Sequence, residues 1–318
     1  MLTVCPLDLR AHRKASSVAG PLIPYISLPE IPLPFIGDHP VNILGHMVGP
    51  ITIKPFGMLV AIGVYLGITL TTRFARQRNI HPEAMSRFLF WVTAIGFSSG
   101  HILDTIFYHP KLVLEDPWSL LRLWDGLSSF GGFTGAIFGA FVFKYYFKVK
   151  HVLPFADLMG AAFPAAWVFG RSGCSVVHDH PGMRSEMWFA VRYPLGGRFD
   201  LGLYEMWFAV IVAIVVLIVV RKPRPPGFFL GLTMLIYAPV RFALDFLRAQ
   251  SADMSGADPR YLHLTPAQWA CSGMVLLGFY LLYTAAASGS AGNDAFEDAS
   301  KDLDPRLTAR PGAAAETH

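Results

Sequence analysis

The chain has 318 residues, 53% of them hydrophobic and only 15% charged, with a mean hydropathy of +0.43. That balance excludes both an ordinary soluble globular protein and a disordered one. The net charge of +4 suits contact with anionic lipid, but the cations form no patch interleaved with base-stacking aromatics, so no nucleic-acid partner is expected.

Residues 1–54 are proline-rich and lack long helical periodicity. They carry no compact apolar run with a small-residue cleavage site, so no cleavable signal peptide is expected. The stretch reads as an extramembrane arm, in which 23–36 and 41–53 are amphiphilic enough to lie on a bilayer surface. Seven apolar runs follow, at 55–72, 88–108, 130–143, 155–169, 203–220, 227–246 and 266–286. The third and fourth are short against the ~20 residues that a membrane-spanning helix needs. Together they predict an all-α polytopic membrane protein with about seven transmembrane helices in one domain, 55–286.

The cations orient it. Arg73, Arg76, Arg78 and Arg87 follow the first run, three lysines in KYYFKVK follow the third, and three cations in RKPRP follow the fifth. The alternate loops, 109–129 and 249–265, are poor in them. The positive-inside rule then puts the N-terminus outside and the C-terminus in the cytoplasm. The tail from 287 to 318 has no apolar periodicity and reads as a disordered cytoplasmic extension.

The polar residues stand out against this background. Residues 170–182 read GRSGCSVVHDHPG, expected as an outer loop starting at Arg171. Arg171 offers a planar fork of donors suited to phosphate. His178, Asp179 and His180 supply imidazoles with a carboxylate to orient or charge them. An ordinary polar loop meeting lipid headgroups explains the same residues less economically, because this outer loop breaks the charge rule with four arginines. Tyr237, Arg241, Asp245 and Arg248 recur at spacings that align them on one helical face. An arginine and an aspartate one turn apart can offset each other's cost in lipid.

His101 and Asp104 share a helix face, and either a structural or a catalytic pair fits. Asp157 reads as a structural acid at a helix N-terminus. Gly131, Gly132, Gly135 and Gly139 give a small-residue surface for helix packing or for passage of an acyl chain. Tyr204 and Glu205 open the fifth run; an interfacial tyrosine belt explains only the first of them. The cysteines Cys5, Cys174 and Cys271 have neither metal spacing nor a disulfide framework, so no metal and no cofactor is expected.

Taken in order, PFG (55–57), SSFGGFTG, GRSGC…HDHPG, LYE, YAPVRFALDFLR and LTPAQW resemble the prolipoprotein diacylglyceryl transferase family over about 54–286. The resemblance implies a bacterial inner-membrane enzyme that moves the diacylglyceryl group of phosphatidylglycerol to the lipobox cysteine of prolipoprotein signal peptides. It puts Arg171 and Arg241 at the family's two essential arginines. Asp179 falls at an acidic position and Gly182 at the motif's closing glycine. Tyr237, Asp245, Arg248, Tyr204, Glu205 and Gln268 match further motif positions. Phe56 stands where the family usually has tyrosine, and Phe130 where it has histidine before the paired glycines Gly131 and Gly132. Two other readings remain open: a lipid-binding paralogue of the same fold, and a small-solute transporter, although no internal repeat is visible.

Overall fold

The computed structural model describes residues 20–32, 41–43, 46–48, 52–122, 126–249, 260–288 and 294–301. Helix starts follow the sequence closely. Proline occupies the first turn of α1 (Pro55–Gln77), α2 (Pro82–Tyr108), the short α3 (Pro110–Glu115), α5 (Leu153–Val177) and α8 (Pro266–Ala287), where its missing N–H costs nothing. Ser128 caps α4 (Ser129–Tyr146) and Asp200 caps α6 (Leu201–Val219). Thr265 and Gln268 form a reciprocal capping box on α8. Helix α7 (Phe228–Leu244) runs into a 3-10 turn at Asp245–Leu247, and α9 (Asp294–Lys301) completes the set.

Each of the seven apolar runs falls on one long helix, with 203–220 and 227–246 overrunning theirs by one to three residues, and five of these helices are long and apolar enough to cross a membrane: α1, α5, α6, α7 with its 3-10 extension, and α8. The run expected to be the short fourth span is a 25-residue helix. Helix α5 sits centrally, against α1, α6 and α7, while α2 packs on α4 and α7 on α8.

The chain is mostly helical rather than all-α. Residues 181–200, expected as loop, fold into a three-stranded antiparallel sheet of β5 (Pro181–Arg184), β6 (Val191–Tyr193) and β7 (Gly196–Asp200), in the order β5-β7-β6. Glycine and arginine break the apolar alternation of these short strands, which removes the usual sequence signal for a sheet. Two small antiparallel pairs precede α1: β1 (Ile31–Pro32) with β4 (Thr52–Ile53), and β2 (Val41–Ile43) with β3 (His46–Val48). The expectation of a structureless tail fails for 294–301, because α9 buries Phe296 completely in the core and Ser300 accepts from the His81 backbone. Residues 302–318 lie outside the described residues.

The bundle has two unlike poles. At one, Phe88, Phe143 and Phe155 meet with ring centroids 5.3–5.7 Å apart, joined by Val216, Phe229 and Phe296. At the other, α5, α6, α7 and α8 bury charged and polar side chains. The two poles are joined by close helix contacts, and at Gly135 of α4 a Cβ would lie 2.4 Å from the Ser99 Cβ of α2. Gly135→Leu is therefore expected to cost ~1–3 kcal/mol or more by overpacking, read as a lower thermal midpoint in detergent.

Candidate active site

Helix α5 does not stop where the glycine-rich motif begins. It continues to Val177, so Arg171 lies in the helix and only 2% of it is exposed. The expected loop starting at Arg171 is thus corrected: 171–177 contain no proline, and the buried guanidinium finds an anion on the next helix. The helix ends at His178, a non-glycine residue in the left-handed region (φ 52°).

That anion is Glu205, fully buried in the first turns of α6. Its carboxylate bridges two cations, with Arg171 Nε 2.9 Å from one oxygen and Arg241 Nε 2.9 Å from the other. Tyr237, one turn before Arg241, donates to Glu205 at 2.8 Å and accepts from Trp167 Nε1 at 2.9 Å. Trp167 also places its ring 4.6 Å from the Arg171 guanidinium, a cation–π contact of desolvated type. Arg241 continues the chain of charges to Asp245 at 2.7 Å, and Arg248 approaches the same carboxylate oxygen at 3.5 Å. Asp245 also accepts from Thr265 Oγ1, while Gln268 accepts from the Thr265 backbone and donates to Phe242 O.

At the centre of this cluster two buried arginines, Arg171 and Arg241, share the Glu205 carboxylate. Guanidinium groups held this deeply are fixed in direction, as recognition of a phosphate by a planar fork requires. Arg241 also borders a narrow niche between α4, α7 and α8, lined by Ser129, Phe130, Phe133, Tyr237, Cys271 and Met274. The arginine pair therefore sits beside a mostly apolar niche no larger than about one water molecule.

The sheet closes over the cluster. A Cβ on Gly182 would lie 2.7 Å from Leu247 O and 2.8 Å from the Phe199 Cβ, so only glycine allows β5 to reach Arg248, with which it forms an isolated bridge. We expect Gly182→Ala to cut activity by pushing Arg248 away from Asp245, measured as a fall in kcat. His180 pairs with Asp179 at 2.6 Å, both partly exposed. Burial pushes the Asp179 carboxyl up, but the His180 hydrogen bond and the charges of His180, Arg171 and Arg248 outweigh it and hold it below the usual range. Asp179 is therefore ionised throughout the neutral range.

His178 lies elsewhere. Its ring nitrogens face Asp200 at 2.5 Å and Ile26 O at 3.1 Å. Tyr204 donates to Phe189 O at 2.7 Å and braces the sheet rather than the charges. Gly131 meets α2, where a Cβ would lie 2.6 Å from Ser99 O, whereas Gly132 faces open space. His101 is a tether: buried in α2, its ring approaches Ser119 O at 2.9 Å and Gly126 O at 3.3 Å. Phe56 packs on the end of α5, where a Cβ on Gly173 would lie 2.9 Å from its ring. Phe130 packs edge-on against Phe107.

Three residues escaped the sequence reading: Trp167, Thr265 and Asp200. Trp167 was legible as an i,i+4 neighbour of Arg171, but Asp200 had no sequence neighbour to mark it. Cys174, Asp179 and His180 bring a thiol, a carboxylate and an imidazole within 4.8 Å of one another. The Arg171 guanidinium 3.7 Å from that sulfur opposes a metal cation there.

Comparisons with known proteins identify the family. The family model described as prolipoprotein diacylglyceryl transferase matches residues 42–284. A phosphatidylglycerol–prolipoprotein diacylglyceryl transferase of Chromohalobacter salexigens is 31% identical over 63% of this chain and 76% of its own length. Those of Pseudoalteromonas translucida and Idiomarina loihiensis are each 28% identical, over 65% and 76% of this chain and 80% and 92% of their own lengths. With the match spanning every helix that builds the charged cluster, the chain belongs to the prolipoprotein diacylglyceryl transferase family.

Proposed function

We propose that this protein transfers the diacylglyceryl group of phosphatidylglycerol to the lipobox cysteine of prolipoprotein signal peptides, in the bacterial inner membrane. The observation that carries the reading is the buried Arg171–Glu205–Arg241 bridge, which fixes two guanidinium forks beside a small aromatic-lined niche. The phosphate suits the two guanidinium forks. The substrate thiol is the nucleophile. Its sulfur forms a bond to the glyceryl carbon while the carbon–oxygen bond to phosphate breaks, and glycerol phosphate leaves with the electron pair. Fixed cations stabilise the charge that develops on the leaving phosphate. The thiol proton needs an acceptor, since a free thiol of pKa ~8.5 is only slightly ionised near neutrality. His180, oriented by Asp179 and partly exposed beside Arg171, fills that role; His178, facing two acceptors, does not. Tyr237, Asp245, Arg248 and Gly182 hold the arginines in place, and Gly132 leaves room on the lipid side of α4.

Seven spans, with the charged pole and the sheet outside and the C-terminus in the cytoplasm, bring the site to the face where prolipoproteins emerge. A reporter fused after Ala287 should be active only in the cytoplasm; activity only in the periplasm would reverse this topology. The activity itself is tested with purified protein, phosphatidylglycerol and a lipobox peptide. Thioether formation on the cysteine is the expected product. Lipid binding without transfer would leave a lipid-binding paralogue, a reading favoured by Phe130 standing where the family has histidine.

A further inference from the structure

His178 sits where three elements meet. It ends α5, seven residues after Arg171, and its Nδ1 lies 2.5 Å from Asp200 Oδ2. Asp200 caps α6 by accepting from Leu203 N at 2.9 Å, and Glu205 follows within the same helix. The third element is the segment 20–32, which precedes the region matched by the family model. This segment runs along β6: Leu22 N donates to Trp188 O, Arg192 N to Ile23 O, and Arg192 Nε to Pro21 O. Tyr25 stacks on the His178 ring at 3.8 Å, and Ile26 O lies 3.1 Å from its Nε2.

Both neighbours of the ring are acceptors. A backbone carbonyl has no proton to give, and Asp200 Oδ2 already accepts from Tyr193 OH at 2.9 Å. Burial and then the Asp200 charge push Tyr193 well above the ordinary phenol range, so it stays a donor. A neutral imidazole carries one N–H and can satisfy only one of two acceptors; the imidazolium satisfies both. The ring is also almost wholly enclosed, with 6% of the side chain exposed, so no water shell completes a broken pair.

We propose that His178, as an imidazolium, is a positioning residue that latches the 20–32 segment to the ends of α5 and α6 and so holds Arg171 and Glu205 in register. The inference rests on the transferase reading for its kinetic consequence but not for the latch itself. When the ring loses a proton, either Ile26 O or Asp200 loses its donor, and the segment or the α6 cap loosens. The groups facing His178 are Asp200 of β7, Tyr193 of β6 and Tyr25 of the segment, with Asp179 and His180 next along the chain. Arg198 of β7 is turned away to Gly182 O. Asp200 is thus the charge that faces the ring directly.

The test is hydrogen exchange of the intact protein in detergent, corrected for intrinsic rates, between about pH 5.5 and about pH 9, a window that brackets imidazole titration. In the wild type, protection of peptides covering 20–32 and 191–193 should fall at least tenfold as pH rises. His178→Leu should lose that protection at every pH. His178→Gln, whose amide donates at any pH, should keep partial protection with no pH dependence. Transfer measured in parallel should show kcat lowered severalfold in His178→Leu and partly restored in His178→Gln, with KM for phosphatidylglycerol little changed. If His178→Leu does not fold, Tyr25→Ala, which lies outside the helical bundle, should lower the same protection. Wild-type protection that is independent of pH, or unchanged in His178→Leu and in Tyr25→Ala, overturns the latch. Protein that never transfers yet shows the pH-dependent protection would sink the transferase reading and leave the latch standing.

Discussion

Arg241→Ala is expected to lower kcat for diacylglyceryl transfer by at least ~10³-fold, beyond the ~10²–10³ that removal of one fixed donor to a developing charge usually costs. The excess arises because Arg241 touches both Glu205 and Asp245, so its loss also leaves two buried carboxylates short of a partner. Arg171→Lys separates shape from charge. Arg171 meets Glu205 through Nε while its guanidinium faces Trp167 and Cys174. A lysine keeps the charge but loses the fork and the stacking plane, so it should rescue less than a tenth of the activity. Full activity in Arg171→Lys would mean that only net charge is needed, and full activity in Arg241→Ala would remove it from catalysis.

Glu205→Leu should have the largest effect on stability. It removes the only carboxylate that bridges Arg171 and Arg241 among the described residues, leaving two guanidinium groups to repel each other in a site that is at most 4% exposed at either arginine. Breaking a buried pair from one side costs ~3–5 kcal/mol, and the orphaned Tyr237 hydroxyl adds to that. Glu205→Gln keeps the acceptor for Tyr237 and should retain more of the fold while still losing activity. A thermal midpoint measured by loss of soluble fluorescence-tagged protein ranks the two variants. If Glu205→Leu is as stable as the wild type, the bridge does not hold the helices together. Added phosphate or phosphatidylglycerol should rescue Glu205→Gln in part, because an incoming anion replaces the missing charge.

Much of this site could be read before any coordinates. The spacing of Tyr237, Arg241 and Asp245 put them on one face because a helix fixes that geometry locally, and Arg241 does reach Asp245. Glu205 announced itself as an acid that no interfacial belt explains. What the sequence hid was non-local. Nothing in the stretch 170–177 says that its helix persists until Glu205, on another helix, neutralises Arg171. The Asp200–His178 pair joins positions 22 residues apart through a sheet whose strands are too short and glycine-rich to signal themselves. The docked face of α9 was easy to miss because it is only two residues, Phe296 and Ala299, three apart in an otherwise polar helix of eight.

Asp157, read from sequence as a structural acid, caps not its own helix but its neighbour, accepting from Leu230 N at 2.9 Å in the first turn of α7. One turn on, a Cβ at Gly160 would lie 2.8 Å from the Leu230 Cα. Helix α7 is thereby pinned at the apolar pole by Asp157 and at the polar pole by Glu205, which meets Arg241 near the far end of its 17 helical residues, a rod of roughly 25 Å. A genetic screen for loss of lipoprotein maturation would therefore recover alleles at Asp157 and Gly160 as readily as at the arginines. In cells the two groups would look alike, and only the first would regain function at low growth temperature.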